Sequence, residues 1–359
     1  TASAGNHAQG VALSGQKLGI TAIIVMPKTT PDIKVQAVKR LGGQVVLHGD
    51  SFDVANKYAI QRAADEGMTF IPPYDDELVM AGQGTIANEI LRQWRDVEYV
   101  FVAVGGGGLI AGVAAYLGDV APHVKVIPVE YDESACLKAA FEANKRVILP
   151  SVGLFADGTA VAQIGEKPFE VIQLQKSDNS GPIVERDVIL VNTDEICAAI
   201  KDTYEECRRN VEPSGAMALA GIKKYVAEHG VENKNMVSIV CGANMNFDRL
   251  RYIAERTELG ERKEAIFAVT IPEEKGSFLN FWRALQGRNI TEFNYRASSS
   301  SAAQVFVGIS LKAGDKERQD IYDLLNTNYA LDALSADEVQ QLHIRYLVGC
   351  QAAITNDGF

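Results

Sequence analysis

From Asn6 to Leu18 the apolar positions recur at helical spacing, and the next block, Thr21 to Met26, is a short unbroken apolar run closed by Pro27. The first predicts an amphipathic helix and the second a buried strand. The alternation repeats. Asp32 to Leu41 reads as helix, Gln44 to His48 as strand, Ser51 to Glu66 as helix, and Thr69 to Ile71 as extended chain before Pro72 and Pro73. A second series holds a helix from Gly84 to Trp94, the strand Tyr99 to Val104, a helix from Leu109 to Leu117 and the strand Lys125 to Glu130. After an irregular stretch come the strand Val188 to Val191 and a helix with Thr193 as N-cap and Asp194 and Glu195 in its first turn. Glu212-Pro213 breaks that helix, Ser214 opens another to about Ala227, and Met236 to Val240 is a last buried strand. Alternating units of this length imply a parallel sheet covered by helices.

Beyond the charged run Glu261 to Glu264 the grammar changes. Strand Ala265 to Thr270, helix Ser277 to Leu285, strands Ile290 to Tyr295 and Gln304 to Leu311, and helix Lys316 to Leu325 give the order βαββα. Adjacent strands permit an antiparallel sheet backed by helices, which is a separate α+β domain.

The remaining bulk properties exclude more than they assign. A chain of 359 residues with 47% apolar and 23% charged positions is globular, of two or three domains, with no apolar run long enough to span a bilayer. The net charge of −11 is spread along the chain without a basic stripe, so nucleic acid is excluded as a partner and an anionic ligand must be held locally. Cys136, Cys197, Cys207, Cys241 and Cys350 are odd in number and far apart, which fits a reducing compartment. The chain opens on Thr1 inside a motif, so an upstream segment is expected, and a further segment is expected beyond Phe359.

Three turns carry candidate chemistry. Gly105-Gly106-Gly107-Gly108 follows a strand and precedes a helix, so its N–H groups can converge on an anion without a Cβ in the way. Taken alone, the run supports a permissive turn equally well. It is not the dinucleotide fingerprint, because the spacing differs and no ribose-binding acid lies about twenty residues on. Ser3-Ala4-Gly5-Asn6-His7 opens a helix and suits a carboxylate, although Ser and Asn are also ordinary residues of a helix start. Cys241-Gly242-Ala243-Asn244 ends a buried strand, where open α/β folds bind ligands; a lone cysteine there is more often a small buried hydrophobe.

Together with Gly82-Gln83-Gly84-Thr85 and Glu212-Pro213-Ser214-Gly215-Ala216, these turns resemble the threonine and serine dehydratases of the second fold type of pyridoxal phosphate enzymes. The resemblance implies a tryptophan synthase β-like α/β core in two subdomains, 1–78 and 79–262. It further implies an ACT-like regulatory domain at 263–347 and a truncated segment at 348–359; the last domain is carried by the stretches 268–278, 288–296 and 343–349. It gives Asn6, Gly105, Gly106, Gly107, Gly108 and Cys241 contacts to pyridoxal 5'-phosphate, and Ser3, Ala4, Gly5 and His7 contacts to the substrate carboxylate. The Schiff-base lysine falls upstream of Thr1. No metal is expected: a glutamate near which some relatives bind a cation matches Glu130, but Cys136 stands where a ligating aspartate is needed.

The activity so implied is dehydration and deamination of L-threonine, with L-serine as the alternative substrate, to 2-oxobutanoate and ammonia at the head of isoleucine biosynthesis. Isoleucine and valine are the expected effectors and a homotetramer the expected assembly, in the cytoplasm, or in a plastid if a transit peptide precedes the chain. A catalytically inactive amino-acid-binding homologue is the alternative. Lys176 to Asp187 is longer and more polar than the family leads one to expect and reads as an altered loop.

Overall fold

The computed structural model describes residues 1–176, 181–183, 188–245, 247–260, 264–297 and 302–334, and the chain divides into two compact units, Thr1–Phe247 and Asp248–Phe359. The first opens with α1 (Asn6–Leu18), β1 (Ile23–Met26), α2 (Asp32–Arg40), β2 (Gln44–Leu47) and α3 (Phe52–Asp65). Strands β1 and β2 pair in parallel, from Ile23 opposite Gln44 to Met26 opposite Leu47. Side chains alternate across a strand, so Ile24 and Met26 pack with Ala8 and Ala12 of α1 and Val35 and Val38 of α2. Val25 points the other way and packs with Ala55 and Ala59 of α3.

The unit continues with α4 (Glu77–Gln93), β3 (Tyr99–Ala103), α5 (Gly108–Val120), β4 (Lys125–Tyr131), α6 (Cys136–Ala143), α7 (Glu166–Leu174), β5 (Ile189–Val191), α8 (Thr193–Cys207), α9 (Pro213–His229) and β6 (Met236–Ser238). Its four strands form a parallel sheet in the order β5-β4-β3-β6. Val100 and Val102 of β3 join the core with Ile110 and Val113 of α5, while Phe101 meets Tyr225 of α9 edge-on at 5.4 Å. Because every strand runs the same way, the turns after β3 and β6 emerge at one edge of the sheet, where open α/β folds bind ligands.

Several boundaries differ from expectation. Helix α4 starts at Glu77 rather than Gly84, because Asp76 accepts from Leu78 and Val79 N–H at 2.9 and 3.2 Å and caps an earlier turn. The cap of α8 is Asn192, not Thr193: its side chain accepts from Glu195 N–H at 2.9 Å and the Glu195 carboxylate accepts from Asn192 N–H at 2.8 Å, a reciprocal box. Thr69 to Ile71 forms no strand, β6 stops at Ser238, and α6 and α7 lie in the stretch read as irregular. Of the Lys176 to Asp187 loop, Lys176, Gly181, Pro182 and Ile183 are described, with Ile183 bridged to Val126, and the rest lies outside the described residues.

Helix α10 (Phe247–Gly260) begins at the last residue of the first unit, and the second unit continues with β7 (Glu264–Pro272), α11 (Ser277–Ala284), β8 (Ile290–Ala297), β9 (Ala302–Ser310), α12 (Gly314–Asn326) and β10 (Ala330–Leu334). The order from β7 is βαββαβ, one strand more than the pattern predicts. The sheet is antiparallel in the order β10-β7-β9-β8. Its core is Phe267, Val269, Phe281, Val305, Val307, Ile321 and Leu325. The stretch 343–349 and the terminal segment 348–359 lie outside the described residues.

Candidate active site

A cavity of about 950 Å³ opens at the carboxyl edge of the four-stranded sheet, and every residue lining it belongs to the first unit. Ser3, Gly5, Asn6, His7, Gly105 to Gly108 and Cys241 all line it. Ala4 is not among its lining residues and packs instead against the core of Ala8, Ala12 and Ile24. Three helix starts meet there: Gly5 and Asn6 of α1, Gly107 and Gly108 of α5, and Glu212 and Ser214 of α9. Each presents N–H groups and the positive end of a helix dipole, so their convergence favours an anion.

The glycine loop is pressed between two walls. A Cβ on Gly106 would run into the Tyr74 ring and one on Gly105 would lie 2.9 Å from Thr159 Cα, while Gly107 has φ +89° at the cap of α5. Neighbouring protein therefore requires these glycines, in addition to any approach by a ligand. On the opposite side, His7 Nε2 lies 2.9 Å from Thr1 Oγ1 and 3.3 Å from the Ile71 carbonyl. Its pKa is lowered, chiefly by burial, so the imidazole is held neutral and brings no charge to the cavity.

Cys241 opens onto the cavity and donates to the Ser214 carbonyl at 3.6 Å. Desolvation by the walls, and next the Glu212 carboxylate, push its thiol up to about 11. Ser214 is buried and its Oγ has no hydrogen-bond partner among the described residues. Glu212 is buried as well, and accepts from Asn6 Nδ2 at 3.3 and 3.4 Å and from Asn244 N–H at 2.8 Å. Tyr74, Glu212 and Ser214 were not singled out from the sequence, although the last two sit in the quoted 212–216 motif.

Glu130 is fully buried and accepts from Leu137 and Lys138 N–H at 2.7 and 2.8 Å, so its carboxylate caps α6; burial outweighs these bonds and raises it to about 7. Among the described residues no group of three or more His, Cys, Asp or Glu is arranged to hold a metal. No described helix is long and apolar enough to cross a membrane.

Residues 1–242 match the family described as pyridoxal-phosphate dependent enzyme. The chain belongs to this family. Residues 255–344 of this pyridoxal-phosphate dependent enzyme match the C-terminal regulatory domain of threonine dehydratase. The chain is 52% identical to the biosynthetic L-threonine dehydratase IlvA of Escherichia coli over 97% of its own length and 66% of that protein's. With the biosynthetic L-threonine dehydratase of Haemophilus influenzae it shares 50% over 99% of its own length and 68% of the relative's. It thus spans 66% of the first relative, just under two-thirds. The processed form of threonine deaminase isoform 2 from Solanum lycopersicum superimposes with a TM-score of 0.68 at 47% identity, covering 72% of this chain and 69% of that one. The fold-type II core and the regulatory domain implied by the sequence are both present, and nothing in these relatives favours the inactive homologue.

Pyridoxal 5'-phosphate is the cofactor of the family, and the cavity suits it. Backbone N–H groups at the glycine loop can meet a phosphate, the buried Ser214 hydroxyl has a hydrogen bond to give, and a neutral thiol faces the space between them. Among the described residues, no lysine lines the cavity.

Proposed function

We propose that the protein dehydrates and deaminates L-threonine to 2-oxobutanoate and ammonia, with L-serine as a second substrate. The observation that carries this reading is the convergence of three helix starts, a glycine loop and a neutral thiol on one cavity. Such a site favours anions, and a phosphorylated cofactor with an amino-acid carboxylate would supply two.

In this reading Gly105 to Gly108 would hold the cofactor phosphate, Asn6 would donate to its phenolic oxygen and Cys241 would face its ring nitrogen. Bound pyridoxal phosphate supplies an electron sink for the pair left when the α-proton departs. Ser3, Gly5 and His7 would bind the substrate carboxylate through the start of α1, with His7 contributing no charge of its own. A thiol raised to about 11 stays protonated, so Cys241 does not force a proton onto the ring nitrogen as a carboxylate partner would. By staying neutral there, Cys241 would favour loss of the β-hydroxyl over transamination. Among the described residues, none that lines the cavity supplies the amine that would take the α-proton.

The same reading assigns residues 1–78 and 79–262 to catalysis and 263–347 to regulation, with isoleucine and valine as effectors and a homotetramer as the assembly. Its location in this reading is the cytoplasm, or a plastid where a transit peptide directs it there. The direct test uses the protein expressed from its natural start codon. It should carry a yellow cofactor and release 2-oxobutanoate from threonine; a colourless protein that binds threonine without product would overturn the reading.

A further inference from the structure

Glu212 stands at the cap of α9, a position where Ser, Thr, Asp and Asn are favoured because a short side chain can reach back to the first N–H groups. Its side chain makes no such bond. The carboxylate turns to other parts of the chain: Oε2 accepts from Asn244 N–H at 2.8 Å, and both oxygens accept from Asn6 Nδ2 at 3.3 and 3.4 Å, across 206 positions of sequence. Its backbone N–H donates to the Gly242 carbonyl at 3.1 Å, so Glu212 holds the 241–244 turn by main chain and side chain together.

Burying a carboxylate is costly unless hydrogen bonds replace its water, and here they come from the two segments that carry Asn6 and Cys241. The room for it is made by Gly242, where a Cβ would collide with Glu212 Oε1. An Asn amide has two N–H hydrogens. With one directed at Glu212, the Asn6 nitrogen is fixed toward the carboxylate, and the second hydrogen is left for an occupant of the cavity.

Resting on the functional reading above, we propose that Glu212 is a positioning residue, which locks the Asn6 amide to the 241–244 turn so that the contacts to the cofactor's phenolic oxygen and ring nitrogen are set as one unit. Glutamine is a poor substitute. It keeps one acceptor oxygen, and its NH₂ group would face either the Asn244 N–H or the Asn6 NH₂, donor against donor.

The test compares wild type, Glu212→Gln, Glu212→Asp and Gly242→Ala, each expressed from the natural start codon. Affinity for pyridoxal phosphate is measured by titration, the visible spectrum of the bound cofactor is followed against pH, and thermal melting of the apo-protein serves as the check on folding. Glu212→Gln should weaken cofactor binding about tenfold and move the pH midpoint of the spectrum. Gly242→Ala should reproduce both effects by displacing the carboxylate, and it carries the test if Glu212→Gln does not fold. Glu212→Asp should restore the midpoint in part, since it keeps the charge with a shorter reach. A residue that merely braces the fold would lower the melting temperature and leave the midpoint where it was. Wild-type affinity and midpoint in both Glu212→Gln and Gly242→Ala would overturn the inference alone; a wild-type protein that takes up no pyridoxal phosphate would overturn the functional reading and the inference with it.

Discussion

With the Cys241 thiol at about 11, the thiolate fraction at pH 8 is about 10⁻³. Alkylation of Cys241 in the apo-protein should therefore climb roughly tenfold per pH unit and level off only near about 11. Peptide mapping after iodoacetamide treatment checks this, and fast labelling of Cys241 at neutral pH would contradict it. Cys241→Ser should keep most of the activity, since a hydroxyl also stays neutral, whereas Cys241→Asp should change the cofactor spectrum by favouring a protonated ring. His7 acts on stability instead. Its folded pKa lies below the unfolded value, so the unfolded chain binds the extra proton and the contribution to stability is present above about pH 6.5 and lost as pH falls. The fall in urea midpoint between about pH 7 and about pH 5 should be smaller in His7→Gln. Asn6, the glycine run and Cys241 were legible in the sequence because each sits in a strand-to-helix or strand-to-loop turn with distinctive local composition. Tyr74 and Glu212 were not, because what they touch lies far away along the chain: Tyr74 packs on Gly106 and Gly108, and Glu212 on Asn6.

At the level of elements, long apolar runs were read correctly and short or remotely capped helices were not. Strand β3 is an unbroken apolar run buried almost throughout, and helix α9 opens on Pro213 at its first position, so local signals alone predict both. Helix α6 has eight residues, and its first turn is satisfied by Glu130, a carboxylate on the preceding strand with no local capping signature. Strand β10 is five residues long and becomes a strand by pairing with β7, from Ala330 opposite Thr270 to Leu334 opposite Ile266. The shift of the α8 cap from Thr193 to Asn192 is a one-residue error with a measurable consequence. Asn192→Ala should cost about 1 kcal/mol of unfolding free energy, because it leaves the Glu195 N–H without its acceptor. Thr193→Ala should cost well under half of that. Urea denaturation of the two variants separates the assignments; equal losses would return the cap to Thr193.

On the scale of the whole molecule, each unit has its own core, and the cavity draws only on the first. The match of 255–344 to a threonine dehydratase regulatory domain then frames a division of labour that can be tested by cutting the chain. In the protein expressed from its natural start codon, isoleucine should raise the threonine concentration needed for half-maximal rate. A version ending after Gly260 should keep turnover and lose the response. The reason is thermodynamic: an effector shifts an equilibrium only by its differential affinity for two states, and without the second unit nothing distinguishes those states to isoleucine. The reciprocal holds for binding, so saturating threonine must weaken isoleucine binding by the same factor by which isoleucine weakens threonine binding. Calorimetric titration of isoleucine with and without a non-reacting threonine analogue measures that factor. The second unit's separate core, with Phe267 and Phe281 fully buried, leads to the further expectation that residues from Asp248 onward fold alone and bind isoleucine. Undiminished isoleucine inhibition in the version ending after Gly260 would place the effector site in the first unit and sink the regulatory assignment.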